Sequence, residues 1–166
     1  MDGDSIIMIL IMIALTACSA FFSATETAYL SFNQAKMKTL AASGDKRAQM
    51  VLSLYNDYDR LITSVLVGNN IVNISLSSIS TVLFIKFLGD MGATVSTVII
   101  TVIVLIFGEI TPKTVSKDFA ESFALSTVYA VKAVILIFYP LSFIFGLWQK
   151  LVDRISNPPG ESTVTE

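Results

Sequence analysis

Two carboxylates stand where an apolar chain has least reason to carry them. Glu26 lies in FFSATETA, Phe21 to Ala28, and Glu109 lies in VLIFGEITPK, Val104 to Lys113. An acid at the centre of a membrane helix costs roughly 2.5–3.5 kcal/mol on insertion scales, and less toward a helix end. Pro112 has no N–H, so the carbonyl of Gly108, one turn earlier, loses its usual helical partner. Gly108 also has no side chain to shield that carbonyl. A bare backbone oxygen beside a carboxylate is how a membrane protein builds an oxygen site for a hard cation. Mg²⁺ is such an ion, held in octahedral oxygen geometry with only one or two carboxylates.

Other polar residues sort onto helical stripes at comparable depth. Ser19, Ser23 and Glu26 fall at i, i+4 and i+7, one face of a helix. Asn70, Asn73, Ser77 and Ser80 make a second stripe, and Thr94, Thr97, Thr101 and Gly108 make a third that leads to Glu109. Each stripe also has a purely structural reading. Serine, threonine and asparagine pack and hydrogen-bond at helix contacts in membranes. Glu109 pairs with Lys113 in that reading, and Glu26 reaches a loop lysine.

Composition narrows the function classes. Hydrophobic residues make up 54% of the 166 and charged residues 14%, with a mean hydropathy of +0.72. Soluble domains carry about 25% charged residues, so this is the composition of an integral membrane protein with room for one bundle. There is no histidine and one cysteine. That census excludes a histidine-based zinc site, a Ser-His-Asp triad, a Cys-His dyad and an internal disulfide. LTAC, Leu15 to Cys18, has the form of a lipoprotein cleavage box, but the acidic MDGDS before it opposes a signal peptide. DYD at Asp57–Asp59 and the Gly89-Asp90 pair faintly suggest an aspartyl protease, yet both sit at span ends on opposite sides. An enzyme is therefore not expected.

The elements that position these residues follow from run length, since a span needs about 20 mostly apolar residues. The spans are expected at about 5–30, 61–88 and 93–110. The last two should form an antiparallel hairpin through Gly89-Asp90-Met91-Gly92. Between the first two lies a polar stretch, 33–60, read as helix broken at Ser43-Gly44-Asp45. Lys36, Lys38, Lys46, Arg47 and Arg60 in it place that loop in the cytoplasm. The N-terminus, with Asp2 and Asp4, is then outside and the C-terminus inside. Ala133 to Leu147 is short for a span, is preceded by Lys132 and contains Pro140. It reads as a kinked helix at the cytoplasmic face, within a juxtamembrane region 118–155. The fold class is thus all-α integral membrane, with three transmembrane helices and juxtamembrane helices. Residues 1–155 form the membrane domain, and SNPPGESTVTE, residues 156–166, reads as a linker.

Three motifs in order, FFSATETA, LITSVLVGNNIVNI (Leu61 to Ile74) and FGEITPK (Phe107 to Lys113), make the chain resemble the transmembrane domain of the CorC/CNNM (cyclin M) family. The likeness runs from about Phe21 to Ile155. It implies Mg²⁺ transport, thought to be export in exchange for Na⁺, by a homodimer whose subunits carry three spans and a belt of juxtamembrane helices. Its implied ion ligands are Ser23, Asn70, the Gly108 carbonyl and Glu109, with Ser19 a further ligand. Glu26 and Asn73 become outer-shell or Na⁺ contacts, and Pro112 and Lys113 structural neighbours. The family also implies a cytosolic CBS pair that binds ATP, to which the linker would lead and which is not expected within these 166 residues. Bilayer lipid, Mg²⁺ and Na⁺ are the expected partners, with no nucleic acid. The alternatives are a membrane Mg²⁺ sensor or scaffold that does not transport, and, more remotely, a channel.

Overall fold

The computed structural model describes residues 2–141 and 144, and every element named within them is helical. Helix α1 spans Gly3–Ser31, α2 Gln34–Ala42, α3 Lys46–Asn56 and α4 Tyr58–Leu88. A 3-10 turn at Gly89–Met91 leads into α5, Gly92–Ile103, then a π-helical segment, Val104–Ile110, then α6, Thr111–Asp118, and α7, Ala120–Ile137. The expected apolar runs at 5–30 and 61–88 are α1 and α4 within a few residues at each end.

Local chemistry explains the breaks. The side chain of Asn33 accepts from the Lys36 N–H at 3.1 Å and starts α2. Asp45 caps α3 by accepting from the N–H groups of Arg47 and Ala48. Gly44, between these two helices, has φ +95, and Gly89 at the end of α4 has φ +60, conformations that favour glycine. After Gly89 the chain reverses. The hydroxyls of Ser80 and Ser96 meet at 2.6 Å in the buried seam between α4 and α5. Gly92 lies so close that a Cβ there would fall 2.4 Å from the backbone nitrogen of Ile85.

The third run differs from expectation in one respect. Pro112 does not break it, because α5, the π segment and α6 follow one another without a gap. Pro112 sits at the first turn of α6, where a missing N–H is tolerated. The Thr111 N–H bonds to the carbonyl of Ile106, five residues back. One extra residue per turn absorbs the proline and keeps the helix continuous.

The buried core gathers at one end of the molecule. It joins Phe22, Ala28 and Tyr29 of α1 to Met37 of α2, Val51 of α3, Leu61 and Val65 of α4, and the face of α7 that carries Ala124, Val128 and Val131. The opposite end is bare and apolar. Ile6, Ile7, Leu10 and Ile13 of α1 are exposed, as are Val82, Ile85 and Phe87 of α4 and Val98 and Val102 of α5. Contiguous bare surface of this kind belongs against lipid rather than water.

Helix α7 lies across α1 and α4 rather than alongside them. Glu121 and Phe123, at its start, touch Asn33 and Phe21. Phe138 and Tyr139, just past its end, touch Phe22 and Arg60. Phe123 and Phe138 are about 22 Å apart along a helix, yet they meet adjacent residues of α1. The apolar helix also starts earlier than the expected Ala133, carries Lys132 on an exposed face, and ends three residues before Pro140. Pro140 has no N–H to offer the carbonyl of Leu136, which accounts for that end. The remainder of the expected juxtamembrane region, and the linker 156–166, lie outside the described residues.

Candidate functional site

Helices α1, α4 and the π segment meet at Ser19. α1 and α4 run antiparallel, as the pairing of Ser19 with Asn69 and of Asp2 with Lys86 shows. α1 and the third run are parallel, because Ser19 faces Gly108 while Glu26 faces Lys113. The Ser19 hydroxyl, fully buried, donates to Oδ1 of Asn69 at 3.0 Å. A Cβ on Gly108 would come within 2.9 Å of that hydroxyl oxygen. Glycine is required there for α1 and the π segment to approach so closely.

Two further oxygens flank this meeting point without a partner. The Ser23 hydroxyl, one turn along α1, and Oδ1 of Asn73, one turn along α4, are buried and make no hydrogen bond among the described residues. Buried polar atoms are normally satisfied; because α1 and α4 run antiparallel, these two orphans lie one turn to either side of the Ser19–Asn69 pair. The other hydroxyl stripes behave differently. Thr97 and Thr101 donate to carbonyls four residues back on α5, and Ser78 and Thr81 do the same on α4. Ser80 pairs with Ser96. Of these hydroxyls only Ser80 and Ser96 join two helices; the others are satisfied within their own helix.

The carboxylates separate clearly. Lys113 Nζ lies 3.0 Å from Glu26, tying α6 to α1. Glu109, half-buried in the π segment, has no hydrogen bond or ion pair among the described residues. The structural reading that gave Lys113 to Glu109 therefore does not hold: the lysine serves Glu26 instead. Pro112 lines the apolar groove between α1 and α6 with Ala20 and Ala24.

Of the sequence-derived ligands, the structure brings Ser19 and Gly108 together, with Ser23 one turn away on α1 and Glu109 next in chain. Asn70 is placed elsewhere. It is exposed, and the amide against Ser19 belongs to Asn69. The buried face of α4 runs through Leu61, Val65, Gly68, Leu76 and Ser80. Asn69 and Asn73, four residues apart, border that face, whereas Asn70 is turned a further 100° away. The i, i+4 spacing of Asn69 and Asn73 was the signal that identifies the inward amides. Among the described residues no three His, Cys, Asp or Glu side chains cluster in a way that could hold a metal. Any cation here would rest on hydroxyl, amide and carbonyl oxygens with a single carboxylate.

An all-helical bundle with a bare apolar end and a polar seam buried between its long helices is an integral membrane protein. By length and composition, Gly3–Ser31, the run Tyr58–Asp118 and Ala120–Ile137 are each apolar enough to cross a bilayer, and the middle run doubles back at Gly89. Residues 10–166 match the cyclin M transmembrane N-terminal domain family, and the chain belongs to that family. It is 36% identical over 155 residues to a UPF0053 protein of Haemophilus influenzae, covering 92% of this chain and 37% of that one. It is 31% identical over 137 residues to the UPF0053 inner membrane protein YfjD of Escherichia coli, covering 82% and 32%. A protein of Haemophilus influenzae named polyamine export protein is 27% identical over 160 residues, covering 89% and 37%. The chain thus spans about a third of the length of these relatives.

Proposed function

We propose that this chain is the membrane domain of a Mg²⁺ transporter, exporting the ion in exchange for Na⁺. One observation carries the reading. The buried Ser19 hydroxyl, joined to Asn69, packs against the bare Gly108, with the unpartnered Ser23 hydroxyl one turn along α1, beside an acid, Glu109, that no described cation neutralises. In this reading the ligands are the hydroxyls of Ser19 and Ser23, Oδ1 of Asn69, the Gly108 carbonyl and the Glu109 carboxylate. Asn69 takes the place that the motif alone assigned to Asn70. Mg²⁺ accepts such a set, being satisfied with few carboxylates. The negative charge of Glu109 draws the ion in. Release follows when α1 and the π segment move apart, since a fixed cage would hold the ion.

The Glu26–Lys113 pair keeps the lysine away from Glu109, so the site retains its charge. Charge placement sets the topology: α2 and α3 with their lysines in the cytoplasm, the N-terminus outside. α7, crossing α1 and α4 at the core end, lies at the cytoplasmic face as part of a belt. The functional unit is a homodimer, and the region that follows in the longer relatives supplies ATP-dependent regulation. Transport without covalent chemistry fits a chain that has no histidine.

A second reading has one observation in its favour, the relative named polyamine export protein. A polyamine needs carboxylates spaced along its length, but Glu26 is occupied by Lys113, which leaves Glu109 alone beside the seam. Proteoliposomes loaded with either Mg²⁺ or spermidine separate the two. Mg²⁺ efflux that spermidine does not inhibit supports the proposal, and spermidine efflux without Mg²⁺ movement overturns it.

A further inference from the structure

A second site lies away from the ion seam, where the end of α7 meets α3 and the start of α4. A cleft of about 280 Å³ opens there, lined by Asp57, Arg60 and Lys132 together with Leu54, Leu61 and Leu136. The Arg60 guanidinium is set in place by stacking over the Tyr139 ring, 4.3 Å from its centroid, with a carboxylate oxygen of Asp57 at 3.6 Å. Lys132 has no hydrogen bond or ion pair with any described residue. The cleft therefore presents two cations against one acid. Beside Lys132, one turn along the same face of α7, Leu136 is 74% exposed.

This composition is amphipathic in a definite sense. α4 begins at Tyr58, where the charged α2–α3 stretch gives way to an apolar helix. The cleft straddles that boundary, with its cations beside the exposed Leu136. A phospholipid has the matching order, an anionic phosphate next to hydrocarbon, and basic groups at a membrane surface attract it. A free phosphate satisfies the cations but gains nothing from Leu136.

We propose that this cleft binds an anionic phospholipid, with its phosphate between Lys132 and Arg60 and an acyl chain along Leu136. The site is separate from the ion seam and does not depend on which cation is carried. It would fasten α7 to the start of α4 and make that packing sensitive to the lipid around the protein.

The test uses the full chain purified in detergent, with phosphatidylglycerol or phosphatidylcholine added and the bound lipid counted by native mass spectrometry. Phosphatidylglycerol should bind in preference, and Lys132→Gln should weaken it about fivefold, the effect of one basic residue at an anionic surface. Lys132→Arg should retain binding, as should Lys46→Gln on the exposed start of α3. Elution volume and thermal stability check that each variant is folded. Equal binding of the two lipids, or wild-type binding by Lys132→Gln, overturns the proposal. So does equal loss in Lys46→Gln, which would make the attraction a general basic-surface effect. Displacement of the lipid by inorganic phosphate would overturn it as well, showing a site for the free anion.

Discussion

Lys113 and Glu26 form an ion pair of 3.0 Å between α6 and α1, and this pairing leaves the half-buried Glu109 as an acid without a cation among the described residues. The two carboxylates of the long helices thus have different roles. Glu26 joins two parallel helices, while Glu109 has no partner among the described residues and is the acid assigned to the ion in the proposed function.

Removing either member of the pair should affect stability only modestly, because both side chains reach solvent, at 43% for Lys113 and 23% for Glu26. A double-mutant cycle with Glu26→Gln and Lys113→Gln, read by thermal unfolding in detergent, should give a coupling of about 0.5–1 kcal/mol. Lys113 freed by Glu26→Gln can turn to Glu109, so that variant should also bind Mg²⁺ more weakly. Unchanged Mg²⁺ affinity in Glu26→Gln would contradict the assigned roles.

Asn69 and Asn70 should be distinguishable by substitution. Asn69→Ala removes the amide against Ser19 and should weaken Mg²⁺ binding tenfold or more, as expected for about 1.5–3 kcal/mol from an interaction with a charged group. Asn70→Ala, on the exposed face, should stay near wild-type affinity. Calorimetric titration of both variants decides between the two amides.

Gly108→Ala places a methyl 2.9 Å from the Ser19 hydroxyl. The fold should survive through rotation of that small side chain, but the oxygen cluster should not. A ligand at a hundred times its dissociation constant stabilises by about 2.7 kcal/mol. Added Mg²⁺ should therefore raise the melting temperature of the wild type and leave that of Gly108→Ala unmoved.

The hairpin predicts a contrast between two other glycines. A Cβ at Gly92 meets the backbone of Phe84 and Ile85 at 2.4–2.5 Å, which cannot yield without moving α4. At Gly68 the nearest atom, at 2.7 Å, is the far end of the Phe22 ring. Gly92→Ala should cost about 1–3 kcal/mol or more by overpacking, and Gly68→Ala less. Denaturation in mixed micelles measures both.

At the opposite end, Asp2 accepts from Lys86 and Ser5, which hold its carboxyl well below its ordinary pKa of 3.8. A depressed pKa contributes stability that is present above the ordinary value and lost as the pH falls through the folded one. The link between the ends of α1 and α4 should thus persist at neutral pH and loosen in strong acid. The difference in melting temperature between wild type and Asp2→Asn should shrink correspondingly on acidification.

Much of this architecture was legible because it depends on local chemistry. The breaks at Gly44 and Gly89 announce themselves through turn residues, and Asp45 is a recognisable cap. Other features depend on contacts distant in sequence. Whether Asn69 or Asn70 faces inward is a matter of 100° of helix rotation, fixed by Gly68 packing on Phe22. The partner of Lys113 lies 87 residues away on a parallel helix. Pro112 correctly marked an irregularity, but only packing between neighbouring helices shows that it becomes a π segment rather than a break. Helix α7 falls within the expected juxtamembrane region 118–155, but its apolar face begins ahead of Lys132, which sits on an exposed face and looked like the edge of the apolar run.

The central claim is that the Ser19–Asn69–Gly108 seam, charged by Glu109, passes Mg²⁺. The most direct measurement is Mg²⁺ flux in proteoliposomes, with and without a Na⁺ gradient, for wild type and Glu109→Gln. The account predicts gradient-dependent flux in the wild type that is lost in Glu109→Gln, while the variant keeps its fold and its melting temperature without ion. Equal flux from the two proteins would contradict it and place the ion path elsewhere.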